Sequence, residues 1–144
     1  DGSMIAFNSD VDGDSEVYLL HMDGNTITQL TSNGEYDGRP DISPDMIQVV
    51  FDSDRYGDTE IFMMNIDGTD IRQLTSYTGI SSNPRFSPYG TKIIFVSNRD
   101  LTSGEQVVEN FELYVMNSDG SDVIRLTDNE FIDSSPVFSP LCDF

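Results

Sequence analysis

The sequence predicts an all-β fold built from a four-stranded unit that occurs three times. The first support is a repeat, in which Phe7, Phe51 and Phe95 follow one another at intervals of 44 residues. The second is that the apolar runs are short, rich in β-branched and aromatic residues, and bounded by Asp, Gly, Asn and Pro. The third is an Asp-Gly pair in each unit, which is typical of a hairpin turn. Four-stranded repeats of roughly 40–50 residues are typical of β-propeller blades.

Each unit supplies four predicted strands in the same order. The first is a short apolar run, and the second begins at a glutamate and continues with apolar residues. The third follows the Asp-Gly turn and alternates apolar with polar residues, and the fourth ends in a Ser-Pro pair. The predicted bounds are 4–9, 47–53 and 92–97 for the first strand, 16–22, 60–65 and 111–117 for the second, 26–30, 70–74 and 122–126 for the third, and 39–43, 83–87 and 135–139 for the fourth.

The three units fill one predicted domain, residues 1–144, as repeats 1–44, 45–88 and 89–140. A chain of this length is the size of one domain and can bury a core. The third repeat is longer than the others, because it carries an extension of eight residues, 102–109.

The third unit carries a recognisable set of motifs. They are Ser87-Pro88-Tyr89-Gly90, Ile94-Phe95, Ser97-Asn98-Arg99, Glu112-Leu113-Tyr114, Asn117-Ser118-Asp119-Gly120 and Leu126-Thr127. In this order, and with registered copies in the other two units, they resemble the TolB-type β-propeller repeat. Two places depart from the pattern, since Met46 replaces the turn glycine and Val11 replaces the usual arginine.

The resemblance implies a propeller in which the fourth strand of each unit lies nearest the axis. We therefore letter the strands of a unit B, C, D and A in chain order, with A innermost. The family includes TolB, a periplasmic binding protein of the bacterial envelope, and propeller domains attached to serine peptidases. The resemblance thus implies a bacterial protein with a periplasmic or extracellular location.

The predicted strand order leaves the first unit without an inner strand A, and leaves the last strand A, at 135–139, without a sheet. Three blades are too few to close a ring, since propellers have about four to eight. One resolution is that the chain is a fragment of a longer propeller. The other, which we favour, is a six-bladed homodimer in which each chain gives its last inner strand to the first blade of its partner.

The chain is strongly acidic, since 26 acidic and 7 basic residues give a net charge of −19 at pH 7. Such a charge argues against binding to nucleic acid or to anionic membranes. It favours a cation, a basic partner or a salty environment, although a solvated acidic surface would account for it as well. No apolar run approaches the roughly 18 residues of a membrane-spanning helix, so membrane insertion is not expected.

The loop after the first strand B holds carboxylates at alternate positions, at Asp10, Asp12 and Asp14, around Gly13. Calcium takes about six to eight oxygen ligands, which such a loop begins to supply. Alternatively, these aspartates cap a tight turn by bonding to their own backbone. We expect the turn-capping role, and the three aspartates are candidate calcium ligands as the alternative.

A glutamate opens strand C in every unit, at Glu16, Glu60 and Glu112. A repeated acid can line a site. More commonly it binds a nearby arginine, such as Arg55 or Arg99, or backbone amides, and fixes the packing of the blades. We expect the structural role.

The loops between strands D and A combine aromatic with acidic residues. Connectivity places these loops on the same side of the propeller as the B–C loops, and the extension rises from that side too. Exposed aromatic residues beside acidic groups are typical of a contact surface, although they could equally cover the tops of the blades. The candidate ligand-contacting residues are Tyr36, Asp37, Tyr77, Phe131 and Asp133.

No set of catalytic residues is visible in the sequence. The chain has a single histidine, His21, and neither a Gly-x-Ser-x-Gly nor a His-Glu-x-x-His motif. The predicted function is a non-catalytic, TolB-like module that binds a protein or peptide of positive charge on its acidic loop side. The alternative is a fragment of a larger propeller-containing enzyme, such as a serine peptidase.

Overall fold

Eleven strands are present in the computed structural model, which describes residues 2–99 and 107–140, without the side chains of 107–109. They are β1 (Met4–Ser9), β2 (Glu16–His21), β3 (Thr26–Gln29), β4 (Asp37–Ile42), β5 (Gln48–Ser53), β6 (Glu60–Asn65), β7 (Arg72–Gln73), β8 (Ser81–Phe86), β9 (Lys92–Arg99), β10 (Val107–Asn117) and β11 (Ile124–Arg125). The described residues contain no helix, and hence none that could cross a membrane. The predicted all-β class is confirmed.

The strands form three antiparallel sheets, with the orders β1-β2-β3, β4-β5-β6-β7 and β8-β9-β10-β11. The inner strands β4 and β8 pair with β5 and β9, which open the next repeat of the sequence. Each four-stranded sheet therefore combines the last strand of one repeat with the first three strands of the following repeat. The first sheet has three strands, because no inner strand precedes β1 in the described residues.

The observed bounds differ from the predicted ones in the third sheet and in the inner and outer strands. Strand β9 runs to Arg99 and β10 begins at Val107, which pairs with Arg99, so residues 107–109 of the predicted extension belong to a strand. The inner strands β4 and β8 start two residues earlier than predicted, because Asp37 and Ser81 already pair with Ser53 and Ser97. The outer strands β7 and β11 have only two residues each. They start late because Asp70 and Asp122, the predicted first residues, have φ angles of 58° and 54°. These angles lie outside the β region, so both residues still belong to the turn.

The predicted last inner strand, 135–139, is not a strand in the structure, since it pairs with no sheet among the described residues. Ser135 nevertheless has a φ of 56°, close to the 48° and 56° of Arg39 and Asn83, its equivalents in β4 and β8. At those two positions the left-handed residue lies within the bulge of the inner strand. The segment thus keeps the inner-strand backbone at this residue. The first residues of the predicted extension, 102–106, lie outside the described part of the chain.

The apolar core lies in two layers, one on each side of the second sheet. Val49 and Phe51 pack into a cluster with the first sheet, whereas Val50 packs into a cluster with the third. Strand β6 divides in the same way, with Phe62 in the first cluster and Met63 in the second. The second sheet is buried on both faces, which explains its continuous apolar runs.

The Asp-Gly turns of the second and third sheets lie against the sheet that precedes each of them. A Cβ atom on Gly68 would stand 2.8 Å from the carbonyl oxygen of Leu30, and one on Gly120 would stand 3.0 Å from that of Leu74. Both glycines have positive φ angles, 83° and 91°. Glycine is therefore required at these turns for the close approach of neighbouring sheets as well as for the turn itself.

Candidate functional site

The B–C and D–A loops meet on one side of the sheets. The amide of Tyr36 donates to Asp54 Oδ1 at 2.7 Å, and the amide of Ser81 donates to the Thr59 carbonyl at 2.8 Å. These bonds join a D–A loop to the B–C loop beside it. We call residues 10–15, 30–36, 54–59, 74–80 and 126–134 together the loop face.

The glutamate that opens each strand C fixes the following D–A loop. Glu60 is buried, and its Oε1 accepts the amide of Tyr77 at 2.6 Å while its Oε2 accepts the Thr75 hydroxyl. The Thr75 hydroxyl oxygen in turn accepts the amide of Ile61 at 2.9 Å. The equivalent amide bonds run from Asn33 to Glu16 at 2.5 Å and from Asn129 to Glu112 at 2.9 Å. Of the two predicted kinds of partner, the backbone amides are confirmed, whereas Arg55 and Arg99 bind Asp37 and Ser81 instead. The amide bonds lie within one repeat, so they fix a loop and do not join neighbouring blades as expected.

Two of these glutamates are in different electrostatic states. Burial raises the pKa of Glu16 above its usual value, and the neighbouring carboxylate of Asp37 raises it further. Burial would also raise the pKa of Glu112. There, hydrogen bonds from Asn129 and Thr127, together with Arg125 at 3.1 Å, outweigh the burial and hold the pKa below its usual value.

Asp37, a predicted contact residue, lies in the interior. Its side chain is fully buried in β4, and Arg55 Nη2 donates to it at 2.9 Å. Asn33 Nδ2 donates to the same carboxylate at 2.6 Å, and the guanidinium of Arg55 stacks over Phe62 with its carbon 4.9 Å from the ring centroid. The Asp37 side chain therefore supports the loop face from below and is not part of its exposed surface.

Tyr77 is exposed, and its ring rests on a buried arginine. The ring is 53% exposed, and the guanidinium carbon of Arg99 lies 4.2 Å from its centroid. Arg99 Nη2 donates to Ser81 Oγ at 2.7 Å, at the position that Asp37 has in the preceding sheet. Burial lowers the pKa of Arg99 from its usual value. Arg99 thus sets the position of Tyr77 on the loop face.

Tyr36, Phe131 and Asp133 lie at the surface to different degrees. Tyr36 is half-buried, and burial raises the pKa of its hydroxyl, with the carboxylate of Asp52 as a further cause. Phe131 is 76% exposed, and Asp133 is half-buried with its carboxylate bound to Asn129 Nδ2 at 2.9 Å. Of the five predicted contact residues, Tyr77 and Phe131 present the most surface.

The aspartates of the first B–C loop form a turn. The amide of Gly13 donates to the Asp10 carbonyl at 3.1 Å, and Gln29 Nε2 donates to Asp12 Oδ2 at 2.5 Å. Asp14 Oδ2 is buried without a hydrogen-bond partner. Across residues 2–99 and 107–140, the structure places no three His, Cys, Asp or Glu side chains where they could hold a metal together. Calcium binding by this loop stays a prediction.

A polar cavity of about 480 Å³ opens on the loop face in the second repeat. It lies between the β5–β6 loop and the β7–β8 loop, and Tyr56, Asp58, Glu60, Gln73 and Tyr77 are among its lining residues. Sequence reasoning did not single out Tyr56 or Gln73. The available signal was that Tyr56 is replaced by Asp12 in the first unit, and that Gln73, which is kept as Gln29 in the first unit, is replaced by Arg125 in the third.

The opposite side of the sheets consists of turns whose polar groups are satisfied internally. Asp67 Oδ1 accepts the amide and the hydroxyl of Thr69 at 3.0 and 2.6 Å. Asp119 makes the same two bonds with Ser121, at 2.9 and 2.6 Å. These bonds lower the pKa of both aspartates. These turns have the same bonds in the second and third units, whereas the loop face differs in every unit.

The family follows from a comparison of the whole sequence with known families. A sequence model of the TolB beta propeller domain matches residues 1–102, which is more than half of the chain. This chain belongs to the TolB β-propeller domain family. The resemblance drawn from the sequence motifs is thereby confirmed. The sequence has no significant match among curated proteins.

Solved structures of TolB proteins resemble this TolB-type chain. A protein assigned as TolB in Agrobacterium tumefaciens has a TM-score of 0.76 at 26% identity, over 86% of this chain and 45% of its own. TolB from Acinetobacter baumannii also has a TM-score of 0.76, at 25% identity, over 90% of this chain and 31% of its own. This chain therefore spans less than half the length of either protein.

The propeller fold also occurs in an enzyme that resembles this TolB-type chain. A puromycin-hydrolyzing peptidase of Mycobacterium tuberculosis has a TM-score of 0.66 at 14% identity, over 88% of this chain and 20% of its own. At this identity the likeness concerns the fold alone.

Proposed function

We propose that this TolB-type chain is a binding module, without catalytic residues of its own, for a protein or peptide of positive charge. The loop face is the contact surface. One observation carries the proposal: the loop face exposes aromatic rings beside carboxylates and differs in each repeat, whereas the Asp-Gly turns of the second and third repeats, on the opposite side, share the same internal hydrogen bonds. A partner does not share the symmetry of the repeats, so a surface that contacts it is expected to differ from one repeat to the next. A surface that only closes turns can stay the same.

The composition of the loop face supports a basic partner. Tyr56, Phe131 and Tyr77 are 78%, 76% and 53% exposed, and large aromatic residues are frequent anchors in protein interfaces. Asp58 and Glu35 are exposed nearby, and the whole chain carries a net charge of −19. Complementary charge speeds association and selects among partners. A periplasmic or extracellular location, as in TolB itself, is part of the same proposal.

A peptide array tests the function. Basic, neutral and acidic peptides of equal length are exposed to the chain, and we expect basic peptides to be retained, less so as salt is raised. Phe131→Ala and Tyr77→Ala should weaken retention, whereas Thr69→Ala on the opposite side serves as the matched control. Retention of acidic peptides, or a loss caused by Thr69→Ala alone, contradicts the proposal.

We further propose that the edge of β1 is covered by the 134–140 segment of a second copy, which closes a six-bladed ring. Strand β1 lies at the edge of the first sheet. Ile5 in β1 is 46% exposed, whereas its equivalents Val49 and Ile93 are completely buried against the preceding sheet, so the face of the first sheet also lacks the neighbour that a closed ring supplies. The 134–140 segment has the backbone of an inner strand at Ser135, and Val137 within it is 76% exposed. The segment could therefore pair with the open edge of β1 in a second copy, as an inner strand does in the other two sheets.

Light scattering tests this assembly. We expect a mass about twice the 16.1 kDa of one chain, and Val137→Lys with Phe138→Lys should abolish the dimer. A well-folded monomer at micromolar concentration contradicts the ring of two copies.

The alternative is that the chain is part of a larger propeller-containing protein, such as an enzyme whose propeller accompanies a catalytic domain. The observation that favours it is the share of the TolB structures that this chain spans, 45% and 31%. A longer native reading frame with further repeats or a catalytic domain would support it.

A further inference from the structure

The cavity in the second repeat has counterparts in the other two repeats, where a side chain of the chain itself occupies the position. Gln73 lies at the end of β7, and the residues equivalent to it are Gln29 in the first repeat and Arg125 in the third. The contacts of these two residues indicate which chemical group the cavity can bind.

In the third repeat, Arg125 fills the position. Its guanidinium Nη2 lies 3.1 Å from Glu112 Oε1 and 2.9 Å from Asp128 Oδ1, and its Nε donates to the Thr127 carbonyl at 2.7 Å. Glu112 keeps its loop-fixing bonds to Asn129 and Thr127 at the same time. The glutamate at this position can therefore fix its loop and bind a guanidinium together.

In the first repeat, the position is closed by a shorter side chain. Gln29 Nε2 donates to Asp12 Oδ2 at 2.5 Å, across the space between the β1–β2 and β3–β4 loops. Asp12 is the equivalent of Tyr56, which has no carboxylate to offer.

The second repeat leaves the same position open. Gln73 is exposed and makes no side-chain hydrogen bond among the described residues. Glu60 makes the same loop bonds as Glu112, so its Oε1 can accept a guanidinium as the Oε1 of Glu112 does. Exposed Asp58 lines the cavity together with Glu60, so two residues with carboxylates line it, while the guanidinium of Arg99 lies against the Tyr77 ring and is not part of the lining.

Two tyrosines complete the cavity. Tyr56 and Tyr77 both line it, and its lining contains no arginine or lysine. Tyrosine rings attract cations over their faces, and a planar guanidinium can stack on them while donating to a carboxylate. A lysine ammonium is a point charge that cannot combine stacking with a forked bond.

We propose that this cavity binds the guanidinium of an arginine side chain presented by the partner. The guanidinium of this arginine binds Glu60 as Arg125 binds Glu112 in the third repeat. The rings of Tyr56 and Tyr77 lie beside the plane of the guanidinium. The inference rests on the proposed function, since it names the group of the basic partner that the loop face recognises.

The test fills the cavity from within. Gln73→Arg supplies the residue that the third repeat uses, so the fold is kept and the melting temperature should not fall. We expect this variant to lose at least about tenfold in affinity for an arginine-containing peptide, the loss expected for a charge-assisted hydrogen bond. Gln29→Arg, at the equivalent position of the first repeat, is the matched control and should leave that affinity unchanged.

Two probes separate this inference from the proposed function. Ethylguanidinium and ethylammonium are titrated into the full chain while backbone amide NMR shifts are followed, and we expect ethylguanidinium alone to shift Tyr56 and Tyr77. If basic peptides bind but Gln73→Arg has no effect, or if ethylammonium shifts the same amides equally, the arginine site is wrong and the binding module stands. If ethylguanidinium shifts them and no basic peptide binds, the arginine site stands and the proposed function is wrong.

Discussion

The carboxylate of Asp37 shows how this acidic chain keeps a charge in its interior. Asp37 is fully buried, and Arg55, with a side chain only 14% exposed, donates to it at 2.9 Å. Removing one partner of a buried ion pair leaves the other without compensation, which is costlier than the pair itself is stabilising.

We expect Asp37→Ala to lower the free energy of unfolding by about 3–5 kcal/mol, because Arg55 would stay buried without a counter-charge. The measurement is urea unfolding at neutral pH. Glu35→Ala, at an exposed neighbour, is the control and should change stability by less than about 0.5 kcal/mol. Equal stabilities of the two variants would show that Arg55 is not held by Asp37.

The repeated glutamates should respond to pH in opposite ways. The pKa of Glu112 is below its usual value of 4.5, so its ionised form stabilises the fold above that pH, and the contribution is lost as pH falls through the lowered pKa. The pKa of Glu16 is above 4.5, so the wild type gains stability from this residue as pH falls from neutral towards 4.5.

Urea unfolding of Glu112→Gln and Glu16→Gln at several pH values measures the difference. Relative to the wild type, the deficit of Glu112→Gln should be greatest at neutral pH and shrink in strong acid. The deficit of Glu16→Gln should grow between neutral pH and about 4.5. Parallel curves for the two variants would mean that the two glutamates share one environment.

At the scale of the elements, the Asp-Gly turns determine how closely the sheets approach. Gly68 and Gly120 touch the carbonyl oxygens that end the preceding sheet, and both have φ angles that side chains disfavour. Gly24, the equivalent in the first repeat, has no such neighbour, since Thr26 Oγ1 at 3.4 Å is the only atom within reach of an added Cβ.

Gly68→Ala should therefore lower the free energy of unfolding by about 2 kcal/mol or more, from the unfavourable φ and the contact with Leu30 combined. Gly24→Ala should stay within about 0.5 kcal/mol of the wild type. Thermal or urea unfolding of the two variants checks both values. A similar loss for both would contradict this explanation, since Gly24 has neither a positive φ angle nor a contact with a preceding sheet.

The strands could be predicted from the sequence because apolar runs, Asp-Gly turns and a constant interval all agree. The early start of the inner strands could not, since Asp37 and Ser81 are polar and their pairing depends on Arg55 and Arg99. The arginine site was missed for a related reason. Gln73 points to a binding site only when it is compared with Arg125, its equivalent in the third repeat. The sequence does not show that Arg125 binds Glu112, since that contact depends on the fold.

At the scale of the whole molecule, the net charge of −19 opposes compaction through self-repulsion. Screening by a simple salt weakens that repulsion, with a Debye length of about 30 Å at 0.01 M and about 10 Å at 0.1 M. The Arg55 side chain, which is paired with Asp37, is only 14% exposed, and Arg99 is buried, so salt screens their interactions much less.

We therefore expect the melting temperature to rise as sodium chloride increases from about 0.01 M to about 0.5 M at neutral pH. Differential scanning fluorimetry measures it. The rise should be smaller near the isoelectric point of 4.1, because the net charge is small there. The measurement at that pH is the internal control. A melting temperature that falls with salt at neutral pH would mean that attractive surface pairs outweigh the self-repulsion.

The first and second repeats of the sequence each give their last strand to the sheet of the following repeat, so sequence boundaries and sheet boundaries are out of step by one strand. A stretch of DNA that encodes one repeat therefore encodes both an edge that accepts a strand and a strand that completes an edge. Duplication or loss of such a stretch changes the number of repeats and leaves every junction of the same kind. Gene recombination can thus lengthen or shorten an array of these units without creating a new type of contact.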